Sequence, residues 1–487
     1  MAKLIAACVA LAAVSLLLPS QPSYDPFAWL VWGREIAHGG LDTTGGSSWK
    51  PLPVVFTTLF APLSKVDDAI PVALWMLVAR AGALLALVLA FRLAARLAGG
   101  GVTGAIGGAV AALTLLVLPD WLQFTAHGSE APWAVALMLW AIERHLDGRR
   151  EHAFVLGVLA CLLRPELVPF LGAYTLWLWW AEPRLRLLVA GCVVVSAAAW
   201  LVPEWIGAGN PLDGARQATG EPVWSLSHEE RPWLAALELA NDHAGLLVEL
   251  LALAGVVWAL AARRLAPLLL AAVVAAGAAL FALMTQAGFS GNPRYVLPAL
   301  ALTCVLAGVG SARLLAAAGG LTRRPSPALG AAVAALALGA VAVPFAGERA
   351  ERMERELHQV GVRMDLHRDL STAVDRLGGP FAVGALGTAT ANRAYHSHLA
   401  WELKVPISAV EAVSAHRVVF RSWRVLSAGR VYMTGRAGVR RTILRLGDWR
   451  VLRRSKITFP LVRAEARRTA AFTRARSAPS ARPPSAP

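Results

Sequence analysis

The sequence predicts a mainly α fold: a polytopic membrane protein of about 11 transmembrane helices, with a small α/β domain outside the bilayer near its C-terminal end. Three observations carry this. The 487 residues are 56% hydrophobic and only 16% charged, with a mean hydropathy of +0.53, more apolar than soluble domains are. Apolar runs long enough to be spans recur along the first two thirds of the chain. Arg and Lys gather in alternate short loops between those runs.

The candidate spans cover roughly 4–19, 70–91, 102–118, 131–143, a pair within 153–181, then 187–205, 244–262, 265–284, 294–315 and 326–345. The basic loops hold Lys3, then Arg92 and Arg96, Arg144, Arg149 and Arg150, Arg184 and Arg186, Arg263 and Arg264, and Arg313, Arg323 and Arg324. Cytoplasmic loops are the positive ones, so these lie inside together with the N-terminus. The alternation closes when 153–181 is a short hairpin that crosses twice. The first segment also has the Lys, apolar core and polar exit of a signal peptide. It lacks a clear small-x-small cleavage site before the Pro19–Pro22 stretch and reads as an uncleaved first helix. Cys8, Cys161, Cys192 and Cys304 all lie in apolar runs, the pattern of small buried hydrophobes rather than of a disulfide framework. Despite a net charge of +16, the placement of the Arg and Lys of the first two thirds, in short loops beside apolar runs, argues against nucleic acid as a partner.

This topology leaves about 20–69, 119–130, 206–243, 285–293 and everything after about 346 on the outer face. Those loops hold Asp25, Asp42, Asp120, His127, Glu130, Glu204, Asp213, Glu221, His228 and Glu229, so a site, if present, faces outward. The loop from Tyr24 to Pro53 is the richest, with Asp25, Arg34, Glu35, His38, Asp42 and Lys50 fenced by Trp29, Trp32, Trp49, Pro51 and Pro53. The domains expected are 1–346 in the membrane, 347–461 as the outer α/β domain, and 462–487 as a basic disordered tail. Within the outer domain, 348–377 reads as a solvated amphipathic helix. The runs FAVGAL, RVVFRSW, RVYMTG, TILRL and WRVLRR read as strands.

Four motifs follow in order along the first 320 residues or so. Asp25 precedes the amphipathic stretch FAWLVWGREIAHGG and then WKPLP, with Lys50-Pro51. AHGSEAPWAVAL places Glu130 at a helix start. LGVLACLLRPELVPF ends in Arg164-Pro165-Glu166. GNPRYVLPALAL carries Arg294, Tyr295 and Pro298 into a late helix. This order resembles the GT-C superfamily of integral membrane glycosyltransferases, in particular the group of protein O-mannosyltransferases and the lipid A aminoarabinose transferase. The chain departs from that pattern in having Pro-Leu-Pro after Lys50 and Glu rather than Asp at position 130.

The resemblance implies a glycosyltransferase that takes a sugar from a polyprenyl-phosphate donor and passes it, with inversion, to a lipid-linked glycan, cell-wall polymer or protein acceptor on the outer face. The richness in Ala, Arg and Gly points to a high-GC bacterium; for an actinobacterial one, mannose or arabinose would be natural sugars. The competing classes are a lipid or glycan transporter, which should show inverted repeats not evident here, and a non-catalytic assembly protein on the same fold.

Such transfer needs a base for the acceptor hydroxyl and cations for the departing phosphate. Asp25 and Glu130 are the catalytic candidates, although Asp25-Pro26 also has the form of a helix N-cap. Lys50, Arg164, Arg294 and Tyr295 are the donor-phosphate candidates. Snorkelling to the interface competes for the cations, and an ion pair with Glu166 competes for Arg164. His127, Glu35 and His38 are candidates for the acceptor side or for support of the catalytic groups. His127 and Glu130, three apart, would share a helix face and could hold a divalent metal; two residues do not make a site, and no cofactor is assigned. Trp29 and Trp32 read as interfacial anchors. The Gly99–Gly101, Gly104, Gly107 and Gly108 series has no P-loop lysine and reads as helix packing.

Overall fold

A computed structural model describes residues 1–219, 225–321, 327–411, 418–422 and 440–454. The predicted strand RVYMTG and the basic tail lie outside the described residues. The chain is mainly helical. Helix α1 (Ala2–Ser15) is followed by α2 (Tyr24–Ala37) and α3 (Pro51–Phe60), then by α4 (Ala69–Leu97), α5 (Gly101–Leu116), the short α6 (Trp121–Ala126) and α7 (Ala131–Leu146). Next come α8 (Arg150–Cys161), α9 (Val168–Ala181), α10 (Arg186–Ala208), α11 (Asp213–Ala218), α12 (Pro232–Ala244), α13 (Leu246–Ala261), α14 (Leu265–Gln286) and α15 (Leu297–Leu321).

The apolar segments fold as helices, but the expected count of about 11 spans is not met. Among the described residues, four helices are long and apolar enough to cross a membrane: 69–97, 183–208, 265–286 and 297–318. A fifth span arises if α12 and α13, bent by 88° at their junction, count as one. The reason is length. Helices α1, α5, α7, α8, α9 and α13 have 12 to 16 residues, or about 18–24 Å against a hydrocarbon core of about 30 Å. The 153–181 segment does fold back on itself. Arg150 pairs with Glu182 at one end and lies 5.1 Å from the Trp177 ring, while the turn at 162–167 forms the other end.

Helix α15 is the buried axis of the bundle, and glycine sets how close its neighbours come. A Cβ on Gly310 would lie 1.8 Å from the Leu251 carbonyl oxygen of α13. One on Gly107 of α5 would lie 2.4 Å from the Gly308 carbonyl oxygen. The glycine series in α5 is therefore a packing seam. Helix α10, by contrast, exposes Leu187, Val194, Trp205 and Ile206, as a lipid-facing helix would.

The expected span 326–345 and the expected amphipathic helix 348–377 form one continuous helix, α16 (Pro327–Arg376), 50 residues and about 75 Å long. It leads into α17 (Gly379–Leu386), α18 (His396–Leu403), α19 (Ile407–Glu411) and a four-stranded sheet. The strands are β1 (Ala389–Thr390), β2 (Val418–Ser422), β3 (Arg440–Leu446) and β4 (Trp449–Arg454), in the order β1-β2-β4-β3. Strand β1 runs parallel to β2, and the other pairings are antiparallel, with Phe420 opposite Val451. Trp449 Nε1 donates to the Leu366 carbonyl at 2.9 Å, fixing the sheet to α16. The run FAVGAL is helical, not a strand: Pro380 in the first turn, after the left-handed Gly378, starts a helix that its small residues continue.

This C-terminal unit covers α2. Phe27, Trp29 and Trp32 are fully buried, so the tryptophans are core residues and not interfacial anchors. Trp29 packs edge-on to Trp75, and Trp32 Nε1 donates to the Asp42 carbonyl at 3.0 Å. The guanidinium of Arg34 stands 5.0 Å from the Trp401 ring and donates to the carbonyls of Trp401, Ala400 and Val405.

Candidate active site

Five chain segments, far apart in sequence, bring charge to one end of the bundle. Each is a helix start or a turn, where backbone and side chain are free to leave the helical ladder. Asp25 lies in the first turn of α2, whose N-cap is Ser23. The expected capping role for Asp25 does not hold: its carboxylate accepts from Arg294 Nη1 instead. Lys50 is the extended residue before Pro51 of α3 and is 5% exposed, too buried to snorkel. Glu130 precedes α7, and Arg164 stands in the turn between α8 and α9. Arg294 sits in a tight turn in which the Asn292 side chain accepts from its backbone N–H at 3.1 Å.

The groups form one ion network. Arg164 Nη1 donates to Glu130 Oε1 at 2.8 Å, and Arg164 Nε to Glu166 Oε1 at 2.5 Å. Lys50 Nζ lies 3.9 Å from the same Glu130 oxygen and 5.9 Å from the Trp200 ring. The Tyr295 ring is flanked by Arg164 at 4.9 Å and Arg294 at 6.0 Å. Three cations (Lys50, Arg164, Arg294) thus face three carboxylates (Asp25, Glu130, Glu166). Burial opposes ionisation of Glu130, but the Arg164 and Lys50 charges outweigh it and hold its carboxyl down at about 2. Burial, aided by the Arg164 charge, brings the Lys50 ammonium down to about 8.

Exposure differs across the network. The Glu130, Arg164 and Glu166 side chains are no more than 3% exposed, whereas Asp25 and Arg294 are 16% and 25% exposed. The Arg294 Nε–H is nonetheless buried without a hydrogen-bond acceptor. An unpaired buried donor costs about 1–3 kcal/mol, and more when charged, a cost that an acceptor reaching this N–H would relieve.

Asp25, Lys50, Glu130, Arg164, Arg294 and Tyr295 are brought together; His127, Glu35 and His38 are not. His127 closes α6 while Glu130 opens α7, with Gly128 at φ +67° between them, so the two do not share a helix face. The His127 ring instead pairs with the Gln21 carbonyl at 3.0 Å, and burial, with the Arg363 charge, lowers it to about 4. Glu35 lies ten residues along α2 from Asp25, about 15 Å away, where its carboxylate accepts from Asp42 N at 2.8 Å. His38 is exposed, and its ring pairs with the Arg34 carbonyl of its own helix. Among the described residues, no group of three or more His, Cys, Asp or Glu is placed to hold a metal ion. Trp200 and Glu166 complete the network. Trp200 carried no signal, being one aromatic in an apolar span, and Glu166 was visible only as a neighbour of Arg164.

The chain is thus a helical bundle with a small sheet-bearing unit over its charged end. One solved structure with this fold is that of ArnT from Cupriavidus metallidurans bound to undecaprenyl phosphate. It is 13% identical to this chain, with a TM-score of 0.51, over 93% of this chain and 98% of that one. No family model matches the sequence, and no curated protein matches it.

Proposed function

We propose that this protein is a membrane glycosyltransferase that moves a sugar from a polyprenyl-phosphate donor to a hydroxyl of a lipid-linked glycan, cell-wall polymer or protein. The observation that carries the proposal is the convergence of Lys50, Arg164 and Arg294 beside Asp25, on a fold shared with a protein whose structure holds undecaprenyl phosphate. Asp25 takes the proton from the acceptor hydroxyl. The acceptor oxygen bonds to the anomeric carbon as that carbon's bond to the phosphate oxygen breaks. The polyprenyl phosphate leaves with the bonding electrons, toward Lys50, Arg164 and Arg294. One displacement inverts the anomeric centre. Glu130 holds Lys50 and Arg164 in place.

The site end would face the outside of the cell, together with a C-terminal domain of about 347–461. The opposite end supports this orientation, because Arg92, Arg96, Arg144 and Arg150 gather there in pairs with Glu143, Asp147 and Glu182. The test is an incubation of purified protein with radiolabelled polyprenyl-phosphate sugars and a membrane acceptor extract. Transfer with inverted configuration is the expected result. Retention would overturn the single displacement, and no transfer from any donor would favour a transporter or an assembly role.

A further inference from the structure

We infer that the donor phosphate and Asp25 compete for Arg294, so that arrival of the donor is what frees the base. This rests on the function proposed above and adds an order of events to it. The network is charge-balanced, three cations against three carboxylates. An incoming phosphate brings one or two further negative charges and must take a cation away from a carboxylate. Glu130 and Glu166 cannot be that carboxylate. They are buried, and separating either from Arg164 would strand an unpaired charge in an apolar surround.

The Asp25–Arg294 pair is the open edge of the network. Its side chains are the most exposed of the six, and Arg294 already presents the unpartnered Nε–H described above. A phosphate oxygen that meets that Nε–H lies next to Nη1 and takes over both donors, in the forked geometry that guanidinium and phosphate share. Asp25 then turns away from Arg294. The oxygen that held a guanidinium N–H becomes free for an acceptor hydroxyl. Without donor, the pairing keeps the carboxylate engaged with Arg294.

The experiment measures binding of a short-chain polyprenyl monophosphate, without sugar, to the full-length protein in detergent, for wild type and for Asp25→Asn. Removing the competing charge should tighten binding by at least about tenfold, the scale of one charged hydrogen bond. Unchanged or weaker binding to a variant that melts like wild type would overturn the exchange while leaving the functional proposal standing. No binding to wild type would overturn both. A second readout needs no variant: carbodiimide labelling of Asp25, followed by mass spectrometry, should rise when the monophosphate is added. Labelling that stays constant or falls, while the monophosphate binds, contradicts the exchange.

Discussion

The Phe27 ring stacks on that of His398 with centroids 4.3 Å apart, joining the C-terminal unit to the helix that carries Asp25 two residues earlier. His367 packs against both rings, 5.7 Å from Phe27 and 4.6 Å from His398 between centroids, and its Nδ1 lies 2.9 Å from Nδ1 of His398. Tyr24 adds a hydrogen bond to Glu411, and Ser397 donates to the Tyr24 carbonyl. The start of α2 is thus held from above by the sheet-bearing unit and from below by Arg294.

Phe27→Ala should empty this contact. A buried Phe truncation costs about 3–5 kcal/mol, read as a lower melting temperature and faster proteolysis near α18. Transfer should fall as well, because Asp25 loses its backing. A variant with wild-type melting and wild-type transfer would show that this contact does not position the site.

Acid should loosen the same region. His367 is pushed well below its ordinary value by burial, then by His398, His127 and Arg363, and His127 is lowered to about 4. Both rings fold neutral, while the unfolded chain takes up protons below about 6.5. Their contribution to stability is therefore present above about 6.5 and is lost as pH falls through that value toward about 4. For His127 alone the loss is on the order of 3 kcal/mol. Melting temperature against pH should decline across this window, less steeply in His127→Gln.

Glu130→Ala should strand Lys50 and Arg164 and destabilise the fold by about 3–5 kcal/mol, measured by chemical denaturation. Glu35→Gln and His38→Ala should leave transfer near wild type, since both stand away from the network.

Lys50 should give donor binding a pH step. Its ammonium, brought down to about 8 by burial, loses its charge as pH rises through that value. Affinity for a polyprenyl monophosphate should fall over pH 7–9 in wild type. Lys50→Gln should bind more weakly below about pH 8, converge with wild type above it and show no such step.

The six converging residues were legible because each is a polar residue at the start or end of an apolar run, where burial of charge demands a reason. Glu166 was visible only through Arg164, and Trp200 not at all, because an aromatic within a span has no distinguishing pattern. Trp29 and Trp32 looked like interface anchors because helix periodicity cannot reveal a covering domain that arrives some 370 residues later in sequence. His127 and Glu130 fit a helical spacing that the turn at Gly128 breaks. The run FAVGAL lost its strand reading to the Gly-Gly-Pro start that precedes it. The expected span count is not met among the described residues, because composition marks apolar helices without measuring whether 12 to 16 residues reach across a bilayer.

The most direct measurement compares wild type and Asp25→Asn in the radiolabelled transfer assay, at matched folding and saturating donor. A base removed at constant geometry should lower the rate by about 10²–10⁴-fold, while donor still binds the variant. Transfer that survives the substitution at wild-type rate would contradict the account at its centre.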